Sequence, residues 1–138
     1  MLFSLISTTR KVLDKIEIDS VNIPTIQGEI QILPHHLSVL GVTKPGLLKI
    51  KRSNSSEEEI YALGSGVYEV DVDGIRVIAD MVAKSSEVNH EDIQKKKEEA
   101  KQFMAQAQKD GLHNTAEYLA AEENYLKQTA LEQLAKKS

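Results

Sequence analysis

His35-His36 is the first pair in this sequence whose chemistry invites a metal. Adjacent residues in an extended segment point to opposite sides, however, and no cysteine or suitably spaced histidine completes a tetrahedral set. The pair is therefore read as no metal site. His90 and His113 fall at a helix start and in a connecting turn, where exposed polar residues belong. Asp71-Val72-Asp73-Gly74 opens like a calcium loop, but the later acidic ligand is missing at the required spacing, so a hairpin turn explains it better. Gly64-Ser65-Gly66 lacks the Lys-Ser/Thr that completes a phosphate loop and runs into a strand instead of a helix. No serine sits in a strained nucleophile turn, and Glu57-Glu58-Glu59 and Glu98-Glu99 have no apolar surroundings to raise a carboxyl pKa. The residues thus offer no catalytic constellation, no metal site and no cofactor site, and the chain is read as non-catalytic.

Charge points the same way. The 138 residues carry a net charge of −4, which lacks the basic footprint of a nucleic-acid binder. Lys95-Lys96-Lys97 and Lys101 are offset by Glu91, Glu98 and Glu99 at helical spacing and read as a solvated face. There is no cysteine, which excludes disulfides and thiolate metal sites and fits a reducing compartment. No apolar run approaches the ~20 residues that span a bilayer, and the apolar start at Met1 lacks a basic leader. The expectation is a protein at the cytoplasmic face of the membrane, reaching it only through partners.

The elements that must hold these residues divide the chain in two. Aromatics are 4% and tryptophan is absent, so the core must be aliphatic. Through the first half, period-two alternation and regular turn signals predict strands over 3–7, 12–18, 47–51, 60–63, 67–72 and 75–81. Between them lies a central hairpin, with Val21 and Ile23 on one arm, Ile30 and Ile32 on the other, and Gly28 at the reversal. Pro24 is expected to close the first arm and Pro34 the second. Thr43-Lys44-Pro45-Gly46 reads as a type II turn and Asp73-Gly74 as a two-residue hairpin turn. Glycine at 64 and 66 predicts a bulge or a close backbone approach.

From His90 the composition turns to Ala, Glu, Lys and Gln, without proline. Asn89 is a candidate N-cap, Gly111 a stop, and Thr115 the cap of a second helix reaching Leu134 or beyond. The apolar stripes are Ile93, Ala100, Phe103, Met104 and Ala107 on the first helix, and Ala116, Leu119, Ala120, Leu126, Ala130 and Leu134 on the second. Much of this is alanine, so the hairpin should lean on the β unit or on another protein. The fold class is α+β: an N-terminal antiparallel β-sandwich or flattened barrel over 1–86, then an antiparallel two-helix hairpin over 87–138.

One run is more specific than its pattern. Pro24-x-x-x-Gly28-Glu29-x-x-Ile32-Leu33-Pro34-x-His36 is followed by Lys44-Pro45-Gly46-Leu47-Leu48-Lys49-Ile50 and Ala62-Leu63-Gly64-Ser65-Gly66-Val67-Tyr68-Glu69-Val70, and then by Val77-Ile78-Ala79-Asp80. In order and spacing, from Lys11 to Glu87, this resembles the epsilon subunit of the F-type rotary ATP synthase. The resemblance implies a non-catalytic rotor subunit that couples the gamma subunit to the membrane c-ring. It puts the turn from Gly28 to Leu33 against the c-ring, with Gly28, Glu29, Gln31 and Ile32 as contacts, and His36 toward gamma. It also implies a helical hairpin that folds on the sandwich or extends to inhibit ATP hydrolysis, meeting the alpha and beta subunits through Lys127, Lys136 and Lys137. Gln31 and His35 stand where the family usually has glycine. Some members bind ATP through Ile/Leu-Asp-x-x-Arg-Ala; here Asn89 and Asp92 replace the acid and the arginine, so no ATP sensing is expected. The rival readings are a stand-alone sandwich that binds a ligand or peptide and dimerises through its hairpin, and a small enzyme with an unrecognised site.

Overall fold

A computed structural model describes residues 1–34 and 38–137. Nine strands come first: β1 Leu2–Ser7, β2 Lys11–Thr25, β3 Gly28–Ile32, β4 Val39–Thr43, β5 Gly46–Arg52, β6 Glu58–Leu63, β7 Gly66–Asp71, β8 Gly74–Ala79 and β9 Val82–Ala83. A 3-10 turn, Ser85–Glu87, leads to α1, His90–Lys109, and α2, Ala116–Lys137. The strands pair in the order β1-β8-β7-β4-β2-β5-β6-β9, with β3 also on β2, and β1 closing back on β2. The result is a flattened sandwich whose two layers share β2. All pairings are antiparallel except β1 with β8.

The shared strand corrects the sequence reading. Residues 12–18 and the first arm of the central hairpin are one 15-residue strand. It changes layer through a register shift between Ile18 and Ser20 and a positive φ of 48° at Lys15. Nor does Pro24 end it. The Pro24 carbonyl accepts the Lys44 N–H at 3.1 Å, and the proline's missing N–H falls on that same side, where β4 has already stopped at Thr43.

The turns are also shifted. The hairpin reversals are Ile26-Gln27 and Val72-Asp73, and the glycines follow them, with Gly28 at φ +113° opposite Thr25 and Gly74 at φ +139° opposite Asp71. Both conformations favour a residue without Cβ. Gly46 does not take the positive φ that a type II turn needs. It is glycine because a Cβ there would lie 2.8 Å from Pro24 Cβ. The close approach expected at Gly66 is present: a Cβ would fall on the Ile78 carbonyl and 2.6 Å from Ala79 Cα. Gly66→Ala is therefore expected to cost about 3 kcal/mol as β7 is forced off β8, read as a lowered urea midpoint. An unchanged midpoint would refute that packing.

The interior is mostly aliphatic, as composition requires, with Phe3, Tyr61 and Tyr68 the aromatics buried in it. Phe3, Leu5, Val21, Ile23, Leu48 and Val77 are all fully enclosed. A second, smaller cluster lies outside the sandwich, where Ala130 and Leu134 of α2 meet Ala62, with Leu47, Ile60 and Met81 around them. The helix caps are those expected: Asn89 Oδ1 accepts the Asp92 N–H at 3.1 Å and Thr115 Oγ1 the Tyr118 N–H at 3.2 Å.

The helix faces are partly different. Ile93, Ala100 and Ala107 are buried, but Phe103, Leu119 and Leu126 are 47%, 55% and 44% exposed, and Ala116 and Ala120 are open as well. Tyr118 and Gln128 are buried instead. The reason is that α2 serves two partners. One side meets α1, where Gln108 Nε2 donates to Tyr118 Oη at 2.9 Å. The other meets β5 and β6 through its C-terminal half alone.

Candidate docking surfaces and the hairpin latch

Three regions of the surface bear on function. The first is β3. Its partner is β2, so among the described residues it presents a free edge. Residues 28–32 form the second arm of the central hairpin, as expected from Ile30 and Ile32, with the reversal just before it at Ile26-Gln27. Glu29 is exposed and accepts from Asn22 Nδ2 at 2.9 Å, which fixes its carboxylate beside the edge. Gln31 is exposed and Gly28 half-buried. Ile32 points inward at 1% exposure, opposite Val21, so its side chain is core and cannot meet a partner. His36 and His35 lie outside the described residues.

The second region was missed in the sequence. On the outer face of the β4–β7–β8 layer, Val42, Val67 and Ile78 stand side by side in register, 47%, 45% and 38% exposed. Leu40, the next outward residue of β4, is more open still. Glu69 and Arg76 border the row as an ion pair at 3.6 Å. The signal was present at Leu40-Gly41-Val42. The inward residue there is glycine, whose Cβ would collide with the Tyr68 ring, while both outward residues are large and apolar. A strand with its bulk on the wet side has reversed the usual pattern.

The third region fastens the helices. Lys127 Nζ lies 2.7 Å from Asp80 Oδ2, and Gly64 leaves the space for that pair, since a Cβ would strike Asp80 Oδ1 and lie 3.2 Å from Lys127 Cε. Of the three lysines singled out on α2, Lys127 is thus engaged on the sandwich. Lys136 and Lys137 are exposed in the last turn, with Lys136 3.8 Å from Glu132. Asn89 and Asp92 are occupied in the helix start, Asn89 as cap and Asp92 in a pair with Lys96 at 3.1 Å.

Below the latch, the segment leading to α1 is tied down. Arg10 Nη2 donates to both Glu87 oxygens at 2.7 and 2.6 Å, and Glu87 Oε1 also accepts the Lys84 N–H at 2.9 Å. The Arg10 guanidinium first, then the Lys84 amide, hold the Glu87 carboxyl below the usual carboxylate range. Such a depressed group adds stability above its unfolded value of about 4.3 and loses it as pH falls through the folded value. Glu87→Gln is therefore expected to loosen the Lys84 amide to exchange at neutral pH and to make no difference near pH ~3. The effect should be small, since both side chains are more than a third exposed. A difference that persists in acid would show another cause. Glu59 is likewise held low, by its hydrogen bonds from Arg52, and accepts from Tyr61 Oη at 3.2 Å.

Comparison with known proteins agrees with this geometry. The family model for the beta-sandwich domain of the ATP synthase delta/epsilon chain matches residues 1–85. An ATP synthase epsilon chain of Neisseria meningitidis serogroup B is 30% identical over 110 residues, covering 80% of this chain and 78% of its own. One from Mesorhizobium japonicum is 29% identical over 115 residues, 83% and 84% of the two chains. Among solved structures, a chain of the Euglena gracilis mitochondrial ATP synthase (OSCP/F1/c-ring) superposes with a TM-score of 0.79 at 19% identity, over 96% of this chain and 79% of that one. A chain of the Tetrahymena thermophila mitochondrial ATP synthase central stalk and c-ring gives 0.54 at 20% identity, over 64% and 69%. At these identities the structural matches speak for the fold.

Proposed function

The chain belongs to the ATP synthase epsilon family, and from that premise we propose that it is a non-catalytic rotor subunit joining gamma to the c-ring. The sandwich, residues 1–86, is the docking unit, and the hairpin, 87–138, is the regulatory one. The observation that carries the reading is the outward apolar row of Leu40, Val42, Val67 and Ile78. It lies on the layer opposite the one that α2 covers, so a second protein can seat there while the hairpin stays docked. Gamma is the occupant proposed. The c-ring is met at the free edge of β3, with Glu29 as the charged contact and Gly28 and Gln31 beside it.

The physical role is stiffness. A closed aliphatic sandwich with strands paired on every shared edge transmits torque without bending, because close-packed interiors deform little. No helix among the described residues is long and apolar enough to cross a membrane; the reading has the chain held at the cytoplasmic face by its partners. The hairpin inhibits ATP hydrolysis when released, through Lys127, Lys136 and Lys137 against the alpha and beta subunits.

Membranes depleted of this chain are expected to lose proton-driven ATP synthesis and to regain it on add-back. Synthesis that continues undiminished after depletion would refute the role.

A further inference from the structure

Where the last turn of α2 meets the sandwich, a groove of about 580 Å³ is walled by four lysines, two from each side. Lys44 and Lys49 belong to the sandwich; Lys136 and Lys137 belong to the helix. Glu29 is the one acidic residue in the wall. Among the described residues, Lys44, Lys49 and Lys137 form no ion pair, and Lys136 shares Glu132 only at 3.8 Å with its own side chain 75% exposed. Four cations gathered in one concavity stand out on a chain of net charge −4. Docking the helix brings two pairs of like charges together, which costs free energy unless something negative lies between them. The rest of the wall, Pro24, Pro45, Gly46, Leu47 and Gln133, is uncharged and supplies no counter-charge.

We propose that this groove binds a phosphate-class anion, such as a diphosphate group, which bridges sandwich and helix. Lysine ammonium groups bind phosphate as point charges, and several charges on a compact anion answer lysines on both walls. The site is complete only when α2 is docked, so anion binding and docking reinforce one another. The inference needs the docked hairpin but not the rotor role, so either can fail without the other.

The test uses the purified full-length chain. Inorganic pyrophosphate is titrated while backbone amides are followed by NMR, and vesicles of phosphatidylcholine with and without phosphatidylglycerol are sedimented in parallel. Saturable shifts at residues 44–49 and 133–137 are expected. Exchange of α2 amides should slow about ten-fold at ten times the dissociation constant. Lys44→Gln with Lys49→Gln, or Lys136→Gln with Lys137→Gln, should each weaken binding at least about ten-fold. Lys95→Gln with Lys96→Gln, on α1, should leave it unchanged. Lysine-dependent binding to anionic vesicles alone would support the site with a lipid headgroup as the phosphate source. No saturable response to either probe, or one that survives both groove double replacements, overturns the proposal.

Discussion

Val67→Asp should weaken binding of the gamma subunit at least about thirty-fold, the equivalent of ~2 kcal/mol, while leaving the fold intact. Val67 is the middle residue of the outward row, flanked in register by Val42 and Ile78. A carboxylate placed there meets water in the free chain, where exposed substitutions usually shift stability by no more than about 0.5 kcal/mol. In the complex it would be stripped of water among apolar neighbours, with the nearest cation, Arg76, already paired to Glu69, and a buried charge without its own partner is costly. Val72→Asp is the control, because Val72 is also apolar but sits at a hairpin tip, 97% exposed and away from the row. Affinity is measured by calorimetry with purified gamma, and folding by thermal melts of both variants. Equal affinity for wild type and Val67→Asp would refute the gamma contact proposed for this face.

This row also marks the limit of what could be read from the chain. Alternation showed where strands lie, because buried aliphatics at Val21, Ile23, Leu48 and Ile50 recur at a period of two, and the register confirms them. It could not show that Val42 and Val67 face outward. An exposed valine and a buried one look alike until both faces of a strand are assigned. The length of β2 was hidden for a related reason: Asp19-Ser20 and Pro24 resemble punctuation, yet one is a register shift inside a strand and the other a strand residue whose missing N–H has no ladder bond to lose. The α2 stripe failed because a single apolar face was assumed. A helix wedged between α1 and a sheet divides its contacts, so Tyr118 and Leu134 are buried against different partners while Leu119 and Leu126 are left open. Glu29 was legible as a surface acid, and Ile32 as an alternating strand position; the c-ring role given to Ile32 followed the resemblance against that pattern, and the side chain is core.

The attachment of α2 leads to the second large effect. Leu134 is 2% exposed and its enclosed neighbours, Ala62 and Ala130, are small, so it is the largest enclosed side chain in the apolar contact between hairpin and sandwich. Leu134→Ala removes about 2–3 kcal/mol of it. Exchange of α2 amides should then rise roughly 30- to 150-fold while strand amides keep their protection. Equal loosening of β5 and β6 would instead mean that the hairpin is part of one cooperative unit. Breaking the Lys127–Asp80 pair should act more weakly, by up to ~1 kcal/mol or about five-fold, because Asp80 is 39% exposed.

Its two halves nevertheless predict opposite functional outcomes. Asp80→Asn frees Lys127 from the sandwich and keeps its charge, so under the inhibitory role proposed for the released hairpin, ATP hydrolysis by the assembled complex should fall. Lys127→Gln breaks the same pair but removes the cation, so the hairpin loosens equally and hydrolysis should not fall. Equal exchange with unequal hydrolysis would identify Lys127 as a group held by the sandwich in one state and used against the head in the other. If the two variants inhibit alike, the charge on Lys127 has no part in inhibition and the pair serves docking alone.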